Sequence, residues 1–270
     1  MQKIAKEIRV LTIECIASIG QGHIGGSLSI VDALTVLYYK HMNVDPENPK
    51  MEGRDRLIVS KGHAGPAVYA ALANKGYFPK EWLKTLNKNG TNLPSHCDMI
   101  RTPGVDMTTG SLGQGFSNAM GIALASKLSK DNATIYTIIG DGEAQEGQIW
   151  EAMMFASHKK LDNLIAFIDL NRFQIDGAVE EVNGIDPFDL KASSFNWNVV
   201  VCKDGNDIDQ VDACIKYAKS LKNEKPTMVI LNTLKGCGSE FVYSKKAANH
   251  NLNLKPEETE LIMQQIREGE

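Results

Sequence analysis

What this sequence lacks narrows it before any motif is read. Its five cysteines, Cys15, Cys97, Cys202, Cys214 and Cys237, are odd in number and no two stand as Cys-x-x-Cys. That spacing argues against a zinc knuckle or a disulfide framework, and for a reducing compartment. No apolar run approaches the ~20 residues that cross a bilayer. The opening stretch MQKIAKEIRVLTIECIASIG is broken by Lys6, Glu7, Arg9 and Glu14, while Ile4, Ile8, Leu11 and Cys15 recur at helical spacing. It predicts an amphipathic helix rather than a signal peptide, and the expected location is cytoplasmic with no membrane partner. There is no surplus of positive charge: the net charge is −4 and the pI near 5.9, so nucleic acid is not an expected partner. The Lys-Lys pairs at 159–160 and 245–246 are short enough to be solvated faces. No Gly-x-Gly-x-x-Gly or Walker loop follows a first strand, which weighs against an ordinary nucleotide-binding module. Repeats, low-complexity tracts and linkers are also missing. With 43% hydrophobic residues, positions 1–270 are expected to form one domain with a short C-terminal helical tail.

What is present has a regular rhythm. After the first helix come a Gly-rich break, GQGHIGGS, and a predicted helix at 30–42. The apolar run 56–60 reads as a buried strand leading into KGHAG and a helix at 66–75. Polar, Gly- and Pro-containing sequence fills 87–114, before a small-residue helix at 115–129. Strand 134–140, helix 147–160, strand 164–170, helix 187–195, strand 197–202, helix 207–222 and strand 227–233 follow. A polar stretch and a charged helix at 258–267 close the sequence. Continuously apolar strands alternating with helices predict an α/β fold: a doubly wound, mainly parallel sheet with helices on both faces. Ligands of such sheets bind at the carboxyl ends of the strands. KGHAG, Gly140-Asp141-Gly142 and Asn171 all stand there.

Asp-Gly alone marks a hairpin turn more often than a site. Here Asp141-Gly142 follows a buried strand and precedes a helix. Glycine lets backbone N–H groups approach a phosphate, and a helix N-terminus favours negative charge. Asp141, read as the only acid at a strand end, would repel a diphosphate unless a hard cation lay between them. Mg2+ suits that position, with one or two protein oxygens and phosphate oxygens for the rest. Asn171, at the end of the next strand, supplies a second oxygen, and the bend at 171–173 lets a backbone carbonyl join them.

Gly-Asp-Gly, an intervening 28 residues and then Asn resembles the thiamine-diphosphate fingerprint. The resemblance implies that Asp141, Asn171 and the Phe173 carbonyl hold Mg2+ (Ca2+ or Mn2+ substituting), with the Gly142 N–H on the diphosphate of thiamine diphosphate. Arg172 stands where the family often has Asn or Gly. Three of the six histidines sit in Gly- or turn-rich loops: Gly22-His23-Ile24-Gly25, Lys61-Gly62-His63-Ala64-Gly65 and Pro94-Ser95-His96-Cys97. With Thr109-Gly110-Ser111-Leu112-Gly113-Gln114-Gly115, they resemble the transketolase family over residues 4 to about 240.

The resemblance implies roles. His63 bonds the diphosphate, and Gly110, Ser111 and Leu112 lie along the cofactor, Ser111 replacing the family's Pro. His96 bonds the donor sugar near its first hydroxyl, and His23 handles protons at the bond being broken. His250, after Lys235-Gly236-Cys237-Gly238, takes the place of the family's late histidine, in catalysis and cofactor binding. Imidazoles fit this chemistry because their ordinary pKa lies near 7 without a large perturbation. His41 and His158 match no site and read as structural; Lys61 reads equally as a diphosphate contact or a solvated lysine.

The sequence resembles the N-terminal subunit of split, two-chain transketolases, which transfer a two-carbon ketol unit from a ketose phosphate to an aldose phosphate. The implied partner is a C-terminal subunit carrying the pyrimidine-binding and third domains, in a complex with two copies of each chain. Sulfo-sugar and branched-sugar donors would leave this half unchanged. The alternatives are a subunit of another thiamine enzyme, such as 1-deoxyxylulose-5-phosphate synthase or a 2-oxo acid dehydrogenase, and a non-catalytic thiamine-diphosphate-binding regulatory subunit. The histidine set disfavours both, since neither decarboxylation nor binding alone needs a base for a sugar hydroxyl.

Overall fold

Strands that are apolar on both sides need cover on both sides, and this governs the architecture of the computed structural model, which describes residues 1–269. Five strands, β1 (Arg56–Val59), β2 (Ile135–Gly140), β3 (Leu164–Leu170), β4 (Asn198–Cys202) and β5 (Thr227–Asn232), form a parallel sheet in the order β1-β2-β3-β5-β4. Successive side chains alternate between the faces. Ile165 and Phe167 of β3 enter one core with α1 (Gln2–Ala17), α2 (Val31–Val36), α3 (Gly65–Lys75) and, later in the chain, α6 (Ile208–Ser220). Leu164, Ala166 and Ile168 enter the other, with α4 (Gln114–Ser129), α5 (Gly147–His158) and the short helix Phe188–Ser194. Truncating Phe167 or Ile168, both fully buried, to Ala costs about 2–5 kcal/mol. The doubly wound parallel sheet expected from the sequence is the observed fold.

The outer side of α1 is covered by α7 (Pro256–Glu268): Ile13 and Ile16 pack with Ile262 and Ile266. Beside this contact, Gln21–Gly22 pairs antiparallel with Leu252–Asn253, joining the two ends of the described chain.

The elements depart from expectation in several places, three of which stand out. The helix expected over 30–42 is α-helical only to Val36 and continues as a π-turn over Leu37–His41. The wider turn brings Lys40 Nζ and His41 Nε2, each at 2.8 Å, to the carboxylate of Asp212 on α6. The polar stretch after β5 contains a helical turn, Glu240–Tyr243, capped by Ser239, and a 3-10 segment, Lys246–His250. Finally, α7 starts at Pro256, a residue whose fixed φ suits the first helical turn. Among the described residues no helix is long and apolar enough to cross a membrane.

Candidate active site

The register of the central strands sets the site. Gly140 pairs with Asp169 and Leu170 with Asn232, so the segments leaving β2, β3 and β5 emerge side by side at one edge of the sheet. They enclose a cavity of about 290 Å³ together with the turn after β1 and the loops carrying residues 23, 96, 110–112 and 250.

Close packing shapes the floor. A Cβ on Gly62 would stand 2.8 Å from the backbone of Thr109 and Gly110, so only glycine lets the β1–α3 turn lie against that segment. One on Gly142 would meet Gln174 Cβ at 2.9 Å, where the β2 and β3 loops touch. Glu143, 2% exposed, ties the loops together: it accepts from Ser60 Oγ at 2.5 Å, Gly113 N at 2.8 Å and Gly140 N at 3.1 Å. Burial pushes its carboxyl up from the ordinary range, partly offset by these donors.

Four histidines from four separate loops converge. The His23 ring centroid lies 5.3 Å from His63, 5.8 Å from His96 and 5.3 Å from His250, and His63 lies 4.9 Å from His250. The ladder of Gln21–Gly22 with Leu252–Asn253 holds His23 to His250, and Asn249 Nδ2 anchors the second loop by donating to Lys235 O at 2.9 Å. Tyr69 Oη on α3 donates to Pro94 O and His96 O at 2.8 and 2.9 Å, fixing the His96 loop. His41 is held by Asp212 instead, and His158 is exposed at the end of α5; neither lines the cavity.

Contrary to the sequence-based expectation, these imidazoles do not keep their ordinary pKa. Burial lowers all four, and for His23, His63 and His250 neighbouring imidazoles and lysines add to it: His63 falls well below the usual value, and His250 to about 3. At neutral pH each is therefore an uncharged imidazole, with one nitrogen free to accept a proton.

Three oxygens face the same cavity. Asp141 Oδ2 accepts from Arg172 N at 2.5 Å and its Oδ1 from Gly142 N at 2.8 Å. Asn171 Oδ1 accepts from Phe173 N at 3.1 Å, and the Phe173 carbonyl accepts from Lys235 Nζ at 2.7 Å. The expected Gly142 N–H donor is thus turned to its own neighbour's carboxylate. Burial and the nearby Asp169 push the Asp141 carboxyl up to about 7, so the site is short of positive charge where the acid stands. A carboxylate, an amide oxygen and a carbonyl suit a hard cation that completes its shell with water or phosphate. Among the described residues no three His, Cys, Asp or Glu side chains form a metal cage by themselves.

Of the expected site residues, His23, His63, His96, Gly110, Leu112, Asp141, Gly142, Asn171, Phe173 and His250 all line the cavity. Ser111 does not; it is exposed beside the rim. The sequence reading missed Lys235, which lines the cavity, is 3% exposed and reaches both Phe173 O and, at 3.3 Å, His250 Nδ1. Burial pulls its ammonium down to about 8. Lys61 is no solvated lysine: it is 1% exposed and paired with Asp169 at 2.6 Å. Asp141 is accordingly not the only acid at this edge. The signal for Asp169 was present as one acid inside the apolar run LIAFIDL, and for both lysines as Lys-Gly just past a strand.

Comparison with known proteins agrees with this fold. Residues 1–267 match the family model described as "Transketolase, thiamine diphosphate binding domain". A relative from Clostridium sp. (strain MSTE9), named 6-deoxy-6-sulfo-D-fructose transketolase subunit SqwG, is 54% identical over 257 residues, covering 95% of this chain and 92% of the relative. A second relative, from Actinobacillus succinogenes and named as one of the subunits of apulose-4-phosphate transketolase, is 38% identical over 270 residues, covering 99% and 96%. The solved structure of Pichia stipitis transketolase in complex with sedoheptulose 7-phosphate superposes with a TM-score of 0.92 at 34% identity, over 98% of this chain and 40% of that one. The chain thus spans nearly the whole of the relatives named as subunits, and about two-fifths of the solved transketolase.

Proposed function

This chain belongs to the transketolase family, as its thiamine-diphosphate-binding part, and we propose that it works in the cytoplasm as the N-terminal subunit of a two-chain transketolase, a single α/β domain transferring two-carbon ketol units together with its partner. The observation that carries this reading is the convergence of four neutral histidines on a cavity that also holds the three oxygens of Asp141, Asn171 and Phe173. A cation site alone would need no proton-transfer groups beside it.

In this reading Asp141, Asn171 Oδ1 and the Phe173 carbonyl hold Mg2+, with Ca2+ or Mn2+ able to substitute. Bound thiamine diphosphate supplies the carbon nucleophile and takes up the charge left when the sugar's carbon–carbon bond breaks. His63 and the backbone of Gly110 and Leu112 bind and orient that cofactor, and Lys235, beside Phe173, adds positive charge toward its diphosphate. The uncharged His23 accepts the proton of the sugar hydroxyl at the bond being broken, and His250, 5.3 Å away, shares that work. His96 orients the donor by its first hydroxyl.

Recognition of the sugar's anionic end falls to the C-terminal subunit, in a complex with two copies of each chain. Of the possible donors, the relative at 54% identity favours 6-deoxy-6-sulfo-D-fructose over an ordinary ketose phosphate. The test is to purify the chain alone and with its partner, and to assay ketol transfer from both donors to an aldose phosphate in the presence of thiamine diphosphate and Mg2+. The complex is expected to be active and the single chain silent. Ketol transfer by the single chain, with no partner present, overturns the split-enzyme reading; transfer from fructose 6-phosphate but not from the sulfo-sugar overturns the donor assignment.

A further inference from the structure

Asp169 takes no part in the chemistry proposed above, yet two of the three expected cation ligands, Asp141 and Asn171, hang from it. It is fully buried on β3, two residues before Asn171. Its backbone carbonyl accepts from Asp141 N at 3.2 Å. Its Oδ2 accepts from Asn171 Nδ2 at 2.7 Å, from Lys61 Nζ at 2.6 Å and from Ser29 Oγ at 2.8 Å, while Oδ1 accepts from the Thr233 hydroxyl.

An asparagine amide has two ends of nearly equal shape, and only its hydrogen-bond partners decide which way it points. A carboxylate beside a buried ammonium can only accept, so it must face the Asn171 NH2. That leaves Asn171 Oδ1 on the other side, where it accepts from Phe173 N, in a residue that lines the cavity. Reversed, the amide would set oxygen against carboxylate on one side and present N–H donors to a cation on the other. We propose that Asp169, paired with Lys61, is a positioning residue that locks the Asn171 amide with its oxygen toward the cation.

This inference rests on the cation-site reading, and the experiment separates the two. Mn2+ is titrated into the two-chain complex at saturating thiamine diphosphate, followed by calorimetry and by the metal's electron-spin spectrum, with circular dichroism as the folding control. Asn171→Ala tests the site itself: wild-type Mn2+ affinity in that variant overturns the cation-site reading. Asn171→Asp tests the positioning. It puts a second carboxylate among the ligands, which by charge alone should bind Mn2+ more tightly. Because it cannot donate to Asp169, it is expected to bind at least tenfold more weakly and with an altered spectrum. Asp169→Asn, which relaxes the orientation, is expected to lose at least tenfold as well. The exchange Asp169→Asn/Asn171→Asp restores one donor facing one acceptor at unchanged charge, and should recover most of the affinity lost by either single variant. Mn2+ affinity in Asn171→Asp equal to or above wild type, while Asn171→Ala loses it, overturns the inference and leaves the site standing. An exchange variant that folds but binds no better than the singles does the same. If Asp169→Asn does not fold, Asn171→Asp still decides, since it leaves the pairing of Lys61 with Asp169 in place.

Discussion

Replacing Lys61 by Met should unsettle the fold well beyond the loss of one hydrogen bond. Met keeps most of the stem in its slot but withdraws the charge from Asp169, and both side chains are buried, at 1% and 0% exposure. Removing one partner of a buried pair costs about 3–5 kcal/mol, because the other charge is left without compensation. At about 2.1 cal/mol/K per residue, the unfolding entropy of a chain this size is on the order of 0.6 kcal/mol/K, so the melting temperature should fall by about 5–8 °C. The pH dependence gives the sharper check. In the wild type, burial would raise the Asp169 carboxyl, but Lys61 and the hydroxyls of Thr233 and Ser29 more than offset it and hold the group below its ordinary 3.8. Its contribution is therefore present above 3.8 and lost only as pH falls through the lower folded value. Without Lys61 the folded value rises above 3.8, so the penalty is complete above that raised value and shrinks as the solution is acidified. The melting gap between wild type and variant, followed by circular dichroism on the single chain, should be widest near neutrality and narrow toward pH 4. A gap below 2 °C at pH 7, or one that widens on acidification, refutes the reasoning.

The remaining expectations concern the acids and imidazoles of the cavity. Asp141→Asn should abolish cation-dependent cofactor binding by the complex in calorimetry, and should remove the loss of stability that the ligand-free wild type shows as pH rises from about 4 to 7. The sign follows from a folded value raised to about 7: the wild-type acid loses stability as pH rises toward it, and an amide does not. His23→Ala and His250→Ala should lower turnover 10²–10⁴-fold at saturating cofactor, whereas His63→Ala should mainly raise the cofactor concentration needed for half-saturation. Steady-state kinetics of the complex would separate the two patterns, and an unchanged His250→Ala would remove that residue from the reaction. Because burial lowers the folded His63 value below 6.5, protons bind the unfolded chain first as pH drops. Between pH 7 and 5 the wild type should thus lose stability relative to His63→Gln in parallel urea titrations.

The sheet was legible because its signal is local and dense: a run such as 164–170, apolar at nearly every position, can hardly be anything but a strand buried on both faces. The site was legible in its punctuation, as glycines and single polar residues stand just past those runs. What the sequence hid depends on distance. His23 and His250 are neighbours only because a two-residue ladder and Asn249 bring their loops together. Lys61 and Asp169 are separated by 108 positions, and neither shows from its own neighbours that it is paired. The same holds for the imidazole pKa values, which are set by burial and by each other's company. The π-turn at Leu37–His41 had no local signal, and the group that its Lys40 and His41 reach, Asp212, lies on another helix.

The pairing of Gln21–Gly22 with Leu252–Asn253, and the cover that α7 gives α1, also set a timetable. Synthesis runs from the N-terminus at about 5–20 residues per second, so some 10–45 s separate the appearance of His23 from that of His250 at the ribosome. Throughout that interval the sheet can begin to form, but Ile13 and Ile16 have no Ile262 or Ile266 to cover them. The histidine pocket is consequently among the last features to close on a nascent chain. A newly made polypeptide therefore carries a partly uncovered apolar stripe on its first helix until α7 emerges.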